Sequence, residues 1–207
     1  MKGRRRIKRV FLLSGLVLGL SACEQGLPEM TPEEGERVTQ VAEPVAAELL
    51  RTLVGSLTAA LEKGGVAQAM ELCSNEAMPL TRMVEAGLGE SMSLKRTTFR
   101  YRNPENAPDE GDEAALLFFE REIENQGRAP ASLVQRVSTE EVRYYRPMFV
   151  GEVCLGCHGD PVSMDPQVRR VLSERYPQDL ATGYEAGDFR GLVRVSMPDP
   201  VIDPPGP

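Results

Sequence analysis

The sequence predicts an α+β domain, helices first and a mainly antiparallel sheet afterwards. Two observations carry this. From Val38 to Leu80, apolar residues recur every three or four positions, which is the period of a helix. From Ser91 onward, short runs of β-formers alternate with Gly, Pro, Asn and Asp clusters, which is the pattern of strands and turns. There are no repeats and no composition shift that marks a boundary, so a single domain is expected.

The N-terminus comes before that domain. MKGRRRIKRV holds six basic residues and no acid, and the apolar run FLLSGLVLGL and then Ser21-Ala22-Cys23 follow. This is the plan of a secretory signal peptide over residues 1–22. The apolar run falls short of the ~20 residues that span a bilayer, although a retained short anchor is the alternative. Leu-Ser-Ala-Cys resembles the lipobox of bacterial lipoproteins, which implies that Cys23 is lipidated and becomes the first mature residue. Glu24 follows rather than aspartate, which implies an outer-membrane location. The expected setting is the bacterial cell envelope, lipid-anchored and facing the periplasm, with residues 23–30 as a tether.

Cleavage before Cys23 leaves 18 basic and 31 acidic residues, a net charge near −13. Nucleic acid is excluded as a partner because its phosphates would repel the chain. Aromatics are 5% of the chain and tryptophan is absent, so a modest core is expected, one with room to borrow apolar bulk from a cofactor.

Within the domain, expected over residues 31–198, Thr31-Pro32-Glu33-Glu34 starts a helix with Thr as N-cap, Pro at its first position and Glu at the third. Val38, Val41, Val45, Leu49, Leu53, Leu57 and Leu61 form its apolar stripe, Pro44 bends it, and Gly64-Gly65 close it. A second helix runs from Val66 to Gly87, with Met70, Cys73, Ala77 and Leu80 on one face. A strand is expected over Ser91–Tyr101 and a loop over Asn103–Pro108. A third helix follows, with Asp109 in an acidic first turn and Ala114, Leu117, Phe118 and Arg121 on its face. Leu133–Val137 and Val142–Val150 read as paired strands, Pro166–Tyr176 as a short helix and Gly191–Met197 as the last strand. The tail, 199–207, is proline-rich and expected to be disordered.

The chemistry lies in VCLGCHGDP, which contains the chain's one histidine. Cys-x-x-Cys-His is the attachment pattern of a c-type haem. Two thiols add to the two vinyl groups of one porphyrin, and an intervening pair of residues lets one backbone turn span them. The next residue then lies under the iron. Cys154 and Cys157 are the thioether candidates and His158 the proximal ligand, for one covalent haem. The rival readings are a redox or structural disulfide between the two cysteines, and a zinc site built from Cys73, Cys154, Cys157 and His158. With Cys23 lipidated, Cys73 has no cysteine left to pair with. It is either a small buried residue of a helix face or the second axial ligand of the iron, a role for which a methionine competes equally.

Nearly the whole mature chain is similar to a family of exported single-haem c-type proteins with a PAS-like fold. The residues that carry the likeness are Glu71-Leu72-Cys73, Arg102 to Pro108, Tyr145-Arg146-Pro147, Cys154 to Gly159, Tyr176-Pro177-Gln178-Asp179, Ala181-Thr182-Gly183-Tyr184 and Gly187-Asp188-Phe189-Arg190-Gly191. The resemblance implies a PAS-like antiparallel sheet flanked by helices, and a haem with His158 and Cys73 as its axial ligands. Arg102, Asn103 and Arg146 are candidate haem contacts, the arginines through propionates, with turn-shaping or solvated roles as the alternatives. Gly183, Gly187 and Gly191 are expected to serve the backbone.

The function expected from these readings is redox or gas sensing, or single-electron transfer, with a separate redox or signalling partner protein. Thiolate donation favours ferric iron and a low potential. A peroxidase-like haem enzyme or a zinc-stabilised interaction module are the alternatives. The first needs a distal acid–base group that the single histidine cannot supply as well.

Overall fold

In the computed structural model, residues 27–89 and 91–199 are described. The signal peptide, Cys23 and residues 200–207 of the tail lie outside them. The first helix, α1 (Pro32–Asn75), opens on the expected capping box: Thr31 Oγ1 accepts from Glu34 N, and Glu34 accepts from Thr31 N at 2.7 Å. Gly64 and Gly65 leave helical backbone angles, Gly65 with φ of 63°, so the expected two helices are present as arms of one long element. Pro44 lies inside the first arm, whose backbone angles stay helical there. The second arm stops at Asn75 rather than Gly87, and α2 (Ala77–Ala86) is a separate helix. The cause is Pro79: it has no N–H, and its ring would collide with the Asn75 carbonyl four residues earlier.

Four strands, β1 (Ser93–Thr97), β2 (Leu133–Arg136), β3 (Glu141–Phe149) and β4 (Phe189–Pro198), form one antiparallel sheet in the order β1-β4-β3-β2. The α+β class is as expected. Helix α3 (Glu110–Gln126) starts at Asp109, whose carboxylate accepts from Asp112 N in a second capping box, and stops at Gly127 with φ of 69°. Two further helices, α4 (Leu155–His158) and α5 (Pro166–Arg175), lie between β3 and β4.

Alternation along the strands gives the sheet two buried faces. Val142, Tyr144, Val193 and Val195 meet Val38, Ala42, Ala46 and Leu49 of α1. Tyr145 and Leu192, on the other face, meet Ala115, Leu116 and Phe119 of α3. Both helices are rotated from the expected stripe. Val41 is 52% exposed and Leu117 56% exposed, while Ala42, Ala46 and Ala115 are buried. Alanine lets a helix approach a sheet closely, so the small residues set the contact and the bulky ones flank it.

Pro28 and Glu29, expected in the tether, are held by Arg136, whose Nη1 donates to the Pro28 carbonyl at 2.7 Å. Arg136 also pairs with buried Asp199, the first residue of the expected tail. Arg136 thus joins both ends of the domain.

Candidate haem site

The outer part of α1 leaves the sheet and forms one wall of a cavity of about 180 Å³, lined by Leu53, Leu57, Leu61, Val66, Ala69 and Leu72. This is where the lower half of the expected leucine stripe goes. The opposite wall is Val153, Cys154, Gly156, Cys157 and His158, on the 3₁₀ turn Glu152–Cys154 and α4. Cys73, from the second arm of α1, lines the same cavity. An adjoining cavity of about 190 Å³ shares Leu53, Val54, Arg96, Cys154 and His158, and adds Met148, Phe149, Thr98, Asn106 and Arg190. Val54, Val66, Phe149 and Val153 are each at least 36% exposed, an apolar rim on an otherwise charged surface.

The structure therefore brings together Cys73, Cys154, Cys157 and His158. All three cysteines are free thiols, so the expected alternative of a Cys154–Cys157 disulfide is not formed. Among the described residues, no group of three or more His, Cys, Asp or Glu side chains is placed to hold a metal directly. Adjacent Cys157 and His158 point from one helical turn in different directions, and Cys157 Sγ lies 3.4 Å from Met70 Sδ in the cluster beneath α5.

His158 is positioned by its surroundings. Its Nδ1 is 2.7 Å from the buried Ala181 carbonyl, so Nδ1 carries the proton and donates, and Nε2 keeps its lone pair. Burial first, and then the Arg102 and Arg190 charges, push its pKa down to about 3, so the imidazole is neutral. Segment 179–184 is tied to α4 by Gly183 N donating to the Gly159 carbonyl and Tyr184 N to the His158 carbonyl, at 2.7 and 3.0 Å. Burial pushes the Cys73 and Cys157 thiols up, opposed for both by Arg102.

The three residues named from sequence as candidate contacts line neither cavity. Arg102 ties the attachment loop to that supporting segment, donating to the Cys157 carbonyl at 2.6 Å, the Ala181 carbonyl at 3.3 Å and the Asp179 carboxylate at 3.0 Å. Asn103 caps the Pro104–Asn106 turn by accepting from Glu105 N. Arg146 pairs with Glu43 of α1. Sequence reasoning missed Arg96 and Arg190, which reach the cavity from β1 and the start of β4. Gly191 follows Arg190 with φ of 137°, and a Cβ there would lie 2.4 Å from the Thr97 carbonyl, so only glycine lets β4 pass β1 at this point. Gly183 and Gly187 also have positive φ, which gives all three glycines their expected backbone role.

A family model described as Tll0287-like matches residues 28–198. The chain belongs to the Tll0287-like family. Among solved structures, the family member is similar to the cyanobacterial heme-protein Tll0287, with 25% sequence identity and a TM-score of 0.56 over 82% of this chain and 97% of that one. No curated protein matches the chain. The donor set of this Tll0287-like protein fits a c-type haem. Two thiols lie on one turn, a neutral imidazole follows with its free nitrogen unprotonated, a third thiol faces the same space, and the walls are aliphatic.

Proposed function

We propose that this protein is a c-type haem protein of the bacterial cell envelope, anchored by lipidated Cys23 and facing the periplasm. One haem is bound through thioethers to Cys154 and Cys157, with His158 and Cys73 as axial ligands. The observation that carries this reading is that thiols and imidazole from residues 73, 154, 157 and 158 line one apolar cavity. Membership of a family with a solved haem protein supports it.

The haem would supply a one-electron couple; the chain supplies its ligands and their surroundings. The Ala181 carbonyl orients His158, Arg102 locks that carbonyl to the attachment turn, and the leucines of α1 exclude water. Of the described methionines, Met148 alone lines either cavity, and Met70 is turned into the core beneath α5, so Cys73 is better placed than Met70 as a ligand. With His158 and Cys73 both holding the iron, such a group would serve single-electron transfer or redox or gas sensing, with a partner protein that accepts the electron or the signal. Mass measurement after denaturation tests the attachment in protein made with a cytochrome c maturation system. The expected mass is that of the polypeptide plus one haem, and a bare polypeptide mass would contradict the proposal.

A further inference from the structure

Arg96 and Arg190 are the cations that line the cavity beside His158 and Cys154. Neither forms a salt bridge with an acid among the described residues, although the chain has more acids than bases and the other buried or half-buried arginines are paired or hold several carbonyls. Arg96 Nη2 has only the Met78 thioether, at 3.6 Å, and Arg96 Nε is buried with no partner at all. Arg190 Nη1 donates to the Arg100 carbonyl at 2.9 Å and Thr98 Oγ1 at 3.2 Å, and its guanidinium lies 5.2 Å from the centre of the Tyr184 ring, which fixes its head and leaves it without a carboxylate partner among the described residues. Burial lowers the pKa of both, and their mutual repulsion lowers that of Arg96 further. Two desolvated like charges with no carboxylate beside them are costly, the Cys73 sulfur being the one nearby group that favours the charge of Arg96, and a planar guanidinium is the group best suited to a carboxylate fork.

We infer that Arg96 and Arg190 form a dicarboxylate seat that takes the two propionates of the porphyrin. The inference rests on the haem reading above and replaces Arg102 and Arg146, named from sequence for this task. The two arginines are 94 positions apart in the chain and meet because β1 pairs with β4, Arg96 lying opposite Val193 three residues beyond Arg190. The Arg96 guanidinium, which lines both cavities, supplies one contact, and Arg190, held by the Arg100 carbonyl and Thr98, supplies the other. The thioethers to Cys154 and Cys157 would set the rotation of the ring, and the seat would neutralise the propionates at its far edge.

The test uses matured protein carrying Arg96→Gln, Arg190→Gln, Arg96→Lys or, as a control, Arg146→Gln. The readouts are the resonance Raman propionate-bending bands and the midpoint potential, with haem content measured by mass in the same samples. Arg96→Gln and Arg190→Gln are each expected to shift one propionate band and lower the potential, because each removes a positive charge near the iron. Arg96→Lys should keep most of the potential but still move the band, and Arg146→Gln should match the parent. If Arg190→Gln fails to accumulate, Arg96→Gln and Arg96→Lys decide the matter. Unmoved bands in haem-loaded Arg96→Gln protein overturn this inference alone. A parent protein that carries no haem overturns it together with the reading on which it rests.

Discussion

Replacing Arg102 with Gln should destabilise the proximal side of the site far more than a surface substitution does. The Arg102 and Asp179 side chains are 11% and 10% exposed, and Arg102 donates to three acceptors on two segments. Loss of the guanidinium strands the Asp179 carboxylate, which then keeps only Ala181 N at 2.8 Å, and takes a donor from the Cys157 carbonyl. Breaking a buried pair by removing one partner costs about 3–5 kcal/mol. The lower end applies here because Asp179 keeps one donor and a little water. At ~2–4 °C per kcal/mol for a domain of this size, about 3 kcal/mol lowers Tm by roughly 6–12 °C. Thermal unfolding of the matured protein, followed by far-UV circular dichroism, measures it. Arg102→Met with Asp179→Leu should recover part of the loss, because no charge is then stranded. A fall in Tm of under about 2 °C for Arg102→Gln would refute the clamp and return Arg102 to the solvated role.

Two other outcomes follow from particular residues. Asp109 is half-exposed, and although burial pushes its pKa up, hydrogen bonds from Arg143 and Asp112 N and the Arg194 charge hold it down at about 2. A carboxylate with a lowered folded pKa contributes stability that is fully present above its unfolded value of ~3.9 and lost as pH falls towards 2. Urea unfolding midpoints should therefore fall across that window in the parent and fall less steeply in Asp109→Asn. Cys23→Ala should move the protein from the membrane fraction to the soluble periplasmic fraction with its absorption spectrum unchanged; retention in the membrane would place the tether elsewhere.

The parts of the site legible in the sequence are those written in local spacing. Cys154, Cys157 and His158 lie on one turn, and Cys73 stood out by its lack of a partner, so both could be named before any fold was known. The helix starts were legible for the same reason, through the capping box at Thr31 and the acidic first turn at Asp109. Residues whose role depends on tertiary pairing were not. Arg96 and Arg190 become neighbours only through the β1–β4 ladder, and Arg102 faces the back of the attachment turn because β1 ends at Thr97 and the chain turns away. Bulky residues mark the expected α1 stripe, whereas Ala42 and Ala46 share the sheet contact with Val38 and Leu49, and Leu53, Leu57 and Leu61 line the cavity. Pro79 was the one local signal passed over: it breaks the second helix at Glu76.

The ligation of the iron by Cys73 opposite His158 is the central claim. Electron paramagnetic resonance of the ferric matured protein, compared between the parent and Cys73→Ala, tests it most directly. Thiolate with imidazole should give a low-spin signal in the parent with the narrow spread of g-values that strong thiolate donation produces, and Cys73→Ala should convert it to a high-spin or water-ligated signal. The same low-spin signal in Cys73→Ala as in the parent would contradict the claim and leave Met148 as the ligand to examine.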